Sequence, residues 1–365
     1  MAKTSQCRRV ETSDRPSSAR ITVLLPVLNE ATRIANSLET LIAQPEEVSE
    51  ILVIDGGSTD ATRAVTENYR RRDDRVRWID ASPVGPRWIG KAWNLNLGLA
   101  RSNPASQWIL CVDADVRVSP KLSRSLISHA ARTGVSTFSV ATRQHLSGRL
   151  EALIHPPLLT TLVYRFGQPG RSYGTIAQVQ ANGQCFFSRR EILLRAQAFA
   201  AARSSLCEDI TIVRRLVERG EAVGFYETYG LVEVSMYRDW RETWTNWPRS
   251  LPMRDQYFGW RQAAGLLEVL FIQGLPLPML ILSWGVSAPK LFRTLNALLL
   301  ALRVGVLFGT TRAYDRRPWT YWLSPVCDFA VAVRLIQSAL SRQHSWRGRS
   351  YVRRSAGKFE PKESC

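Results

Sequence analysis

The octapeptide Trp108-Ile109-Leu110-Cys111-Val112-Asp113-Ala114-Asp115 decides how the chain folds. Its unbroken apolar run does not alternate as a half-exposed strand does, and fits a strand buried on both faces. A carboxylate ends the run and a second follows two positions later. The same plan recurs upstream. Ile21-Thr22-Val23-Leu24-Leu25 reads as a buried strand stopped by Pro26, and Ile51-Leu52-Val53-Ile54 ends at Asp55. Val76-Arg77-Trp78-Ile79 is a short strand, and 135–141 another. Helical patterns alternate with these strands. Asn29 is placed to cap a helix whose Ile34, Leu38, Leu41 and Ile42 share one face, Gly56-Gly57-Ser58 leads into a second helix, and further helices are expected over 90–100 and 119–131.

Strand alternating with helix predicts an α/β fold with a doubly wound, mostly parallel, Rossmann-like sheet and right-handed crossovers. Ligands of such sheets bind outside the carboxyl ends of the strands. Asp55 and Asp113 both end apolar strands, so both point at that crevice.

The chain has 365 residues and a net charge of +18, from 49 Lys+Arg against 31 Asp+Glu. That balance favours partners that carry phosphate or an anionic surface. Twelve tryptophans favour a membrane interface. The basic residues are dispersed or border apolar segments and no nucleic-acid module is visible, so nucleic acid is not the expected partner. The six cysteines form no CxxC pair and read as reduced thiols. The four histidines read as structural or surface residues. No Gly-x-x-x-x-Gly-Lys-Ser/Thr loop is present, and the polar first twenty residues lack a signal-peptide apolar region.

Three local patterns can carry chemistry. Asp113-Ala114-Asp115 places two carboxylates where they can share a hard cation, Mg²⁺ or Mn²⁺, with phosphate oxygens. Asp55-Gly56-Gly57-Ser58 couples a strand-end carboxylate to glycines that let a ligand approach the backbone. Cys207-Glu208-Asp209 opens a helix with an acidic pair. Each alone is also ordinary turn or capping chemistry.

Their order is more specific. Pro26-Val27-Leu28-Asn29-Glu30, Asp55-Gly56-Gly57-Ser58, Gly90-Lys91-Ala92-x-x-Leu95-Asn96-x-Gly98-Leu99, Asp113-x-Asp115 and Glu208-Asp209 together resemble the inverting family 2 glycosyltransferases of GT-A fold, over about residues 20–250. Gly56 departs from the family, many members of which carry a second aspartate there. The resemblance implies that Glu30 and Asp55 contact the nucleotide and that Lys91 lies near the donor phosphates. It implies Asp113 on ribose or a metal-linked water, Asp115 on the metal, and Asp209 as general base. Arg249 is the candidate diphosphate contact and Trp247 a candidate acceptor platform. Glu208, Gly183 and Gln184 are placed on the acceptor side. The implied partners are a nucleotide-sugar donor and a lipid acceptor.

More narrowly, Gly90-Lys91-Ala92-Trp93, Trp247-x-Arg249-Ser250-Leu251 and Trp346-Arg347-Gly348-Arg349-x-Tyr351 resemble the carotenoid 2′-O-glycosyltransferases of photosynthetic prokaryotes, which act on myxol-type carotenoids. Hopanoid and polyprenyl-phosphate transferases share much of the pattern. This implies a plasma or internal photosynthetic membrane, with the catalytic domain cytoplasmic.

The chain accordingly divides into a flexible tail (1–19), a glycosyltransferase domain (20–240), an interfacial acceptor-side segment (241–262), membrane-associated helices (263–341) and a basic tail (342–365). Leu266–Val286 and about 291–309 read as two crossings or a re-entrant hairpin. Segment 319–340 carries Asp328 and Arg334, about 240° apart on a helix, and reads as an interfacial helix beside a tail held on anionic lipid.

Overall fold

The computed structural model describes residues 9–249, 251, 259–346, 349–355 and 358–362. The first half of the chain forms β1 (Ile21–Val27), α1 (Ile34–Ile42), β2 (Val48–Asp55), α2 (Thr62–Arg70), β3 (Val76–Asp80), α3 (Gly90–Arg101), β4 (Trp108–Val112), β5 (Val116–Val118), α4 (Leu122–Thr133), β6 (Thr137–Ala141) and β7 (Arg143–Gln144). It continues through α5 (Glu151–Phe166), β8 (Arg171–Tyr173), β9 (Cys185–Arg189), α6 (Arg190–Ala196), α7 (Ala198–Ala201), α8 (Glu208–Glu218), β10 (Val223–Glu227), β11 (Val232–Val234) and α9 (Trp240–Asn246). The apolar helices are α10 (Gly259–Val269), α11 (Pro276–Gly285), α12 (Lys290–Gly309) and α13 (Asp328–Leu340), followed by β12 (Gln343–Trp346), β13 (Arg349–Ser355) and β14 (Lys358–Pro361).

The central sheet has the order β3-β2-β1-β4-β9-β6-β10-β8. β3, β2, β1 and β4 pair in parallel, as the buried runs predict. β9 enters antiparallel between β4 and β6, and β8 closes the far edge antiparallel to β10. Alternate strand residues feed two layers. Val23 and Leu25 pack with Leu38 of α1 and Leu126 of α4, while Leu24 and Ile54 pack with Leu95 of α3 and Val213 of α8. Gly98 lets α3 lie flat on the sheet, because a Cβ there would strike the Ile54 side chain. A smaller sheet, β5-β11-β7, flanks the carboxyl edge.

Three expectations need correction. Residues 9–19 are not a free tail: Arg9 bridges to Glu227, Val10 is buried in the core, and Glu11 and Asp14 pair with Arg132 and Lys121. Residues 1–8 lie outside the described residues. Asn29 does not cap α1. It adopts a positive φ of 55°, and its side-chain oxygen accepts from the Thr59 N–H, so it ties the β1 turn to the β2 turn. The apolar segment 266–286 keeps its expected reading as a crossing or part of a re-entrant hairpin, with a π-helical turn over Leu270–Gly274 and a 48° bend between the helices on either side. The stretch after 342 is not a loose basic tail, since its described residues form the antiparallel sheet β12-β13-β14.

Two helices, Lys290–Gly309 and Trp319–Leu340, are long and apolar enough to cross a membrane, and the bent pair 259–285 would make a third. α12 at 20 residues is about 30 Å long, the thickness of a bilayer core. Leu291, Leu295, Leu298 and Leu302 on α12 and Ile281, Leu282 and Trp284 on α11 are all exposed, which is a large apolar face. Segment 319–340 is amphipathic in packing. Its Trp319, Trp322, Val326 and Phe329 are exposed, while Tyr321, Val331 and Leu335 pack against the α/β domain. Arg303 and Asp328, which cost most in an isolated apolar helix, meet each other: Arg303 Nε donates to Asp328 Oδ2 over 2.8 Å.

Candidate active site

The carboxyl ends of β1 and β4, the start of α3 and the start of α8 converge on one cavity of about 1360 Å³. Glu30, Gly56, Lys91, Asp113, Asp115, Gly183, Gln184, Glu208, Asp209, Trp247 and Arg249 all line it. Residues spread over more than 200 positions therefore meet in one cleft, which is what strand-end placement predicts.

Lys91, in the first turn of α3, is the electrostatic hub. Its Nζ is 2.8 Å from Asp113 Oδ1 and 2.7 Å from Glu208 Oε1. These two carboxylates outweigh burial and hold the ammonium well above its ordinary pKa, so Lys91 stays charged. Asp209 follows Glu208 in the first turn of α8. Its Oδ2 accepts from the Gly183 N–H and its Oδ1 from the Ile210 N–H, both over 2.9 Å. Burial and the adjacent Glu208 push its carboxyl up to about 7, against the pull of Lys91 and the two amides. A carboxylate poised there is suited to proton transfer near neutrality.

Gly183 lies two residues before β9, against the first turn of α8. A Cβ at this position would lie 3.2 Å from both Lys91 Nζ and Glu208 Oε1. The glycine thus leaves room for the ion pair and presents its N–H to Asp209. Gln184 lines the cavity and is held in place by hydrogen bonds. Its side-chain oxygen accepts from Thr142 Oγ1 at 2.6 Å and from Asn182 Nδ2 at 3.2 Å, and its backbone carbonyl accepts from the Asp113 N–H.

At the other end of the cleft, Asp55 is buried but does not line the cavity; Gly56 does. The Asp55 carboxylate accepts from the Ser58 N–H and hydroxyl, and burial raises its pKa. Asn94, which the motif reading passed over, donates to the Ile54 carbonyl at 3.0 Å and so fixes the end of β2. Glu30 lies near Arg33, which pairs with Glu242 of α9. Arg33, Glu242 and Arg349 also line the cavity and were not singled out as site residues in the sequence. For Arg349 a signal existed, the Trp346–Tyr351 element, whose Arg347 and Gly348 lie outside the described residues, as does Ser250 of the Trp247–Leu251 element.

Trp247 and Arg249 sit beyond α9. Trp247 is buried, with its ring 4.1 Å from that of His155, and it belongs to a core cluster with Leu158, Val331 and Leu335. It therefore welds the α/β domain to α13 as well as facing the cleft. Arg249 Nη1 donates to the carbonyl of Ser345 on β12 at 3.1 Å.

Asp113 and Asp115 present hard oxygen donors to the cleft, and no cluster of three or more His, Cys, Asp or Glu side chains forms a metal cage among the described residues. That donor set fits an ion such as Mg²⁺ or Mn²⁺, which takes one or two carboxylates and completes its shell with water and substrate phosphate.

Residues 22–195 match the family model described as Glycosyl transferase family 2. This stretch is thus similar to the domain of family 2 glycosyltransferases. The succinoglycan biosynthesis protein ExoA of Rhizobium meliloti (strain 1021) is 28% identical over 130 residues, which cover 35% of this chain and 38% of ExoA. The dolichyl-phosphate beta-glucosyltransferase ALG5C of Trichomonas vaginalis (strain ATCC PRA-98 / G3) is 31% identical over 108 residues, 27% of this chain and 30% of that protein. The chain thus spans less than two fifths of the length of either relative. Among solved structures, the mannosyltransferase PcManGT from Pyrobaculum calidifontis, in complex with GDP-Man and Mn²⁺, is similar with a TM-score of 0.53 and 17% identity over 90% of each chain. The α/β part of the chain therefore has a GT-A-type fold, which the apolar helices follow in sequence.

Proposed function

We propose that the protein is an inverting, metal-dependent glycosyltransferase that moves a sugar from a nucleotide-sugar donor to a hydroxyl group of a lipid at a membrane surface. The observation that carries this reading is Asp209: a buried carboxylate with a pKa near neutrality, in the same cleft as Lys91, Asp113 and Asp115. In the proposed step, Asp209 takes the proton of the acceptor hydroxyl as its oxygen attacks the anomeric carbon, and the bond from that carbon to the nucleoside diphosphate breaks. Attack from the face opposite the leaving group inverts the configuration. Glu30 and the turn fixed by Asp55 face the nucleoside end. Lys91 stays cationic beside the acidic groups, and Gly183 orients Asp209 through its amide. A Mg²⁺ or Mn²⁺ held by Asp115 and Asp113 would offset charge on the departing diphosphate.

The apolar helices support a lipid as acceptor. The cavity runs from the catalytic carboxylates to Phe308, Gly309 and Thr310 at the end of α12, so an amphiphile can reach the base without leaving the apolar face. Within this class, the sequence likeness to carotenoid 2′-O-glycosyltransferases makes the 2′-hydroxyl of a myxol-type carotenoid the first acceptor to test. Hopanoids and polyprenyl phosphates are the alternatives, and the likeness to a dolichyl-phosphate transferase favours including the latter. The site would then face the compartment that supplies nucleotide sugars, the cytoplasm. The test is incubation of membranes containing the protein with a panel of labelled nucleotide sugars and each lipid, followed by product mass analysis. A glycosylated lipid that disappears in Asp209→Asn supports the proposal. Absence of transfer to every lipid, with transfer to a soluble saccharide instead, overturns the lipid assignment.

A further inference from the structure

The C-terminal sheet β12-β13-β14 docks on the donor side of the cleft. Tyr351 and Phe359 are fully buried against Ile89, with Leu206 packed beside them. Ile89 directly precedes α3 and its Lys91, and Leu206 directly precedes the Cys207-Glu208-Asp209 turn. The Phe359 N–H donates to the Ser204 carbonyl at 2.9 Å. Arg249 joins the sheet from the other side through the carbonyl of Ser345. The sheet therefore braces both loops that carry the reactive groups.

Arg349, at the start of β13, extends from the sheet into the cleft. Its Nη2 donates to the carbonyl of Gly56, and its guanidinium covers Gly90 so closely that a Cβ there would lie 2.9 Å from Nη1. It lines the cavity beside Gly56, Gly90 and Lys91. The two cations differ in charge balance. Lys91 is matched by Asp113 and Glu208, whereas no carboxylate pairs with Arg349 among the described residues. A guanidinium whose protein partner is a carbonyl keeps donors in a planar fork, the geometry that phosphate oxygens take.

We propose that β12-β13-β14 is part of the donor site and that Arg349 binds the diphosphate of the nucleotide sugar. This rests on the transferase reading above and assigns to Arg349 the contact that the sequence pattern gave to Arg249. Arg249 instead positions the sheet. The carbonyl of Gly56 aims the guanidinium, and Gly90 leaves the space that it crosses.

The test is calorimetric titration of the full-length protein with Mn²⁺ and, in turn, UDP, GDP, dTDP and their parent nucleosides. The wild type should bind one diphosphate more tightly than its nucleoside. Arg349→Gln should weaken that diphosphate about 10- to 100-fold, the range for one charge-assisted contact, and leave the nucleoside unchanged. Arg349→Lys should recover part of the loss. Diphosphate affinity within twofold of wild type in Arg349→Gln overturns this inference alone. Equal losses for nucleoside and diphosphate in both variants also overturn it, since they would show Arg349 supporting the fold. A wild type that binds no diphosphate overturns the transferase reading together with this one.

Discussion

Lys91 Nζ lies 2.7 Å from Glu208 Oε1, a contact that joins the first turn of α3 to the first turn of α8. The acid next to Glu208 is Asp209, the proposed base, so the ammonium acts on that carboxyl through its neighbour and its own field. Burial and Glu208 raise the Asp209 pKa, and Lys91 lowers it. Removing Lys91 takes away the only one of these that favours the ionised base by charge. In Lys91→Met the acidic limb of the kcat/KM profile should therefore move to higher pH, with reduced activity at pH 7. A pH–rate series on the two proteins checks this; an unchanged limb would detach Lys91 from the base.

For the wild type the sign follows from the same group. With a carboxyl raised to about 7, Asp209 is protonated and idle below that pH and ionised above it. Activity should rise through neutrality to a plateau. Asp209→Asn should lower turnover by about 10²–10⁴-fold with donor affinity retained. Steady-state rates and nucleotide binding, measured together, separate the two effects.

Chelation should abolish transfer, and Mg²⁺ or Mn²⁺ should restore it in the wild type but not in Asp115→Ala. The assay is transfer of labelled sugar before and after addition of each ion. Full activity in excess chelator would leave the cationic side chains alone to stabilise the leaving group.

The Arg303–Asp328 pair is almost wholly buried, with side-chain exposures of 1% and 2%, and Gln273 Nε2 donates to the same carboxylate at 2.8 Å. It ties α12 and α13 to the bend between α10 and α11. Arg303→Leu or Asp328→Leu alone should destabilise the protein by about 3–5 kcal/mol, because each strands a buried charge. The double variant should lose less than either single one. Thermal unfolding of the four proteins in one detergent measures the cycle.

Segment 319–340 should not cross the membrane. Asp315 before it pairs with His145 of the α/β domain, and Lys358 after it belongs to the docked sheet. Cysteines introduced at Asp315 and Lys358 should label from the same face of sealed vesicles. Labelling from opposite faces would require a crossing between them.

The parallel half of the sheet was legible because buried strands spell themselves as continuous apolar runs, and their terminal carboxylates then locate the cleft. β9 was not, because Cys185-Phe186-Phe187-Ser188-Arg189 has no such run and its antiparallel insertion depends on partners far away in sequence. Asp209 and Lys91 were legible through motif order, while their mutual dependence through Glu208 is a matter of distance alone. Asn29 misled because the same amide that caps helices also tolerates a positive φ and holds turns. Arg303 and Asp328 looked like two separate flaws in apolar segments, since nothing local indicates that residues on different helices neutralise each other. Arg349 was hidden for the opposite reason: a run rich in arginine reads as a surface tail until its tyrosine and phenylalanine are seen to be buried.

The order of segments along the chain gives the docked sheet a consequence for biosynthesis. β12-β13-β14 follow the apolar helices in sequence, so they leave the ribosome after α10–α13. The loops before Lys91 and Asp209 then wait, unbraced, until that last piece arrives. A chain whose α10–α13 are misplaced cannot bring β12-β13-β14 back to the cleft, so completion of the cleft depends on the placement of the apolar helices.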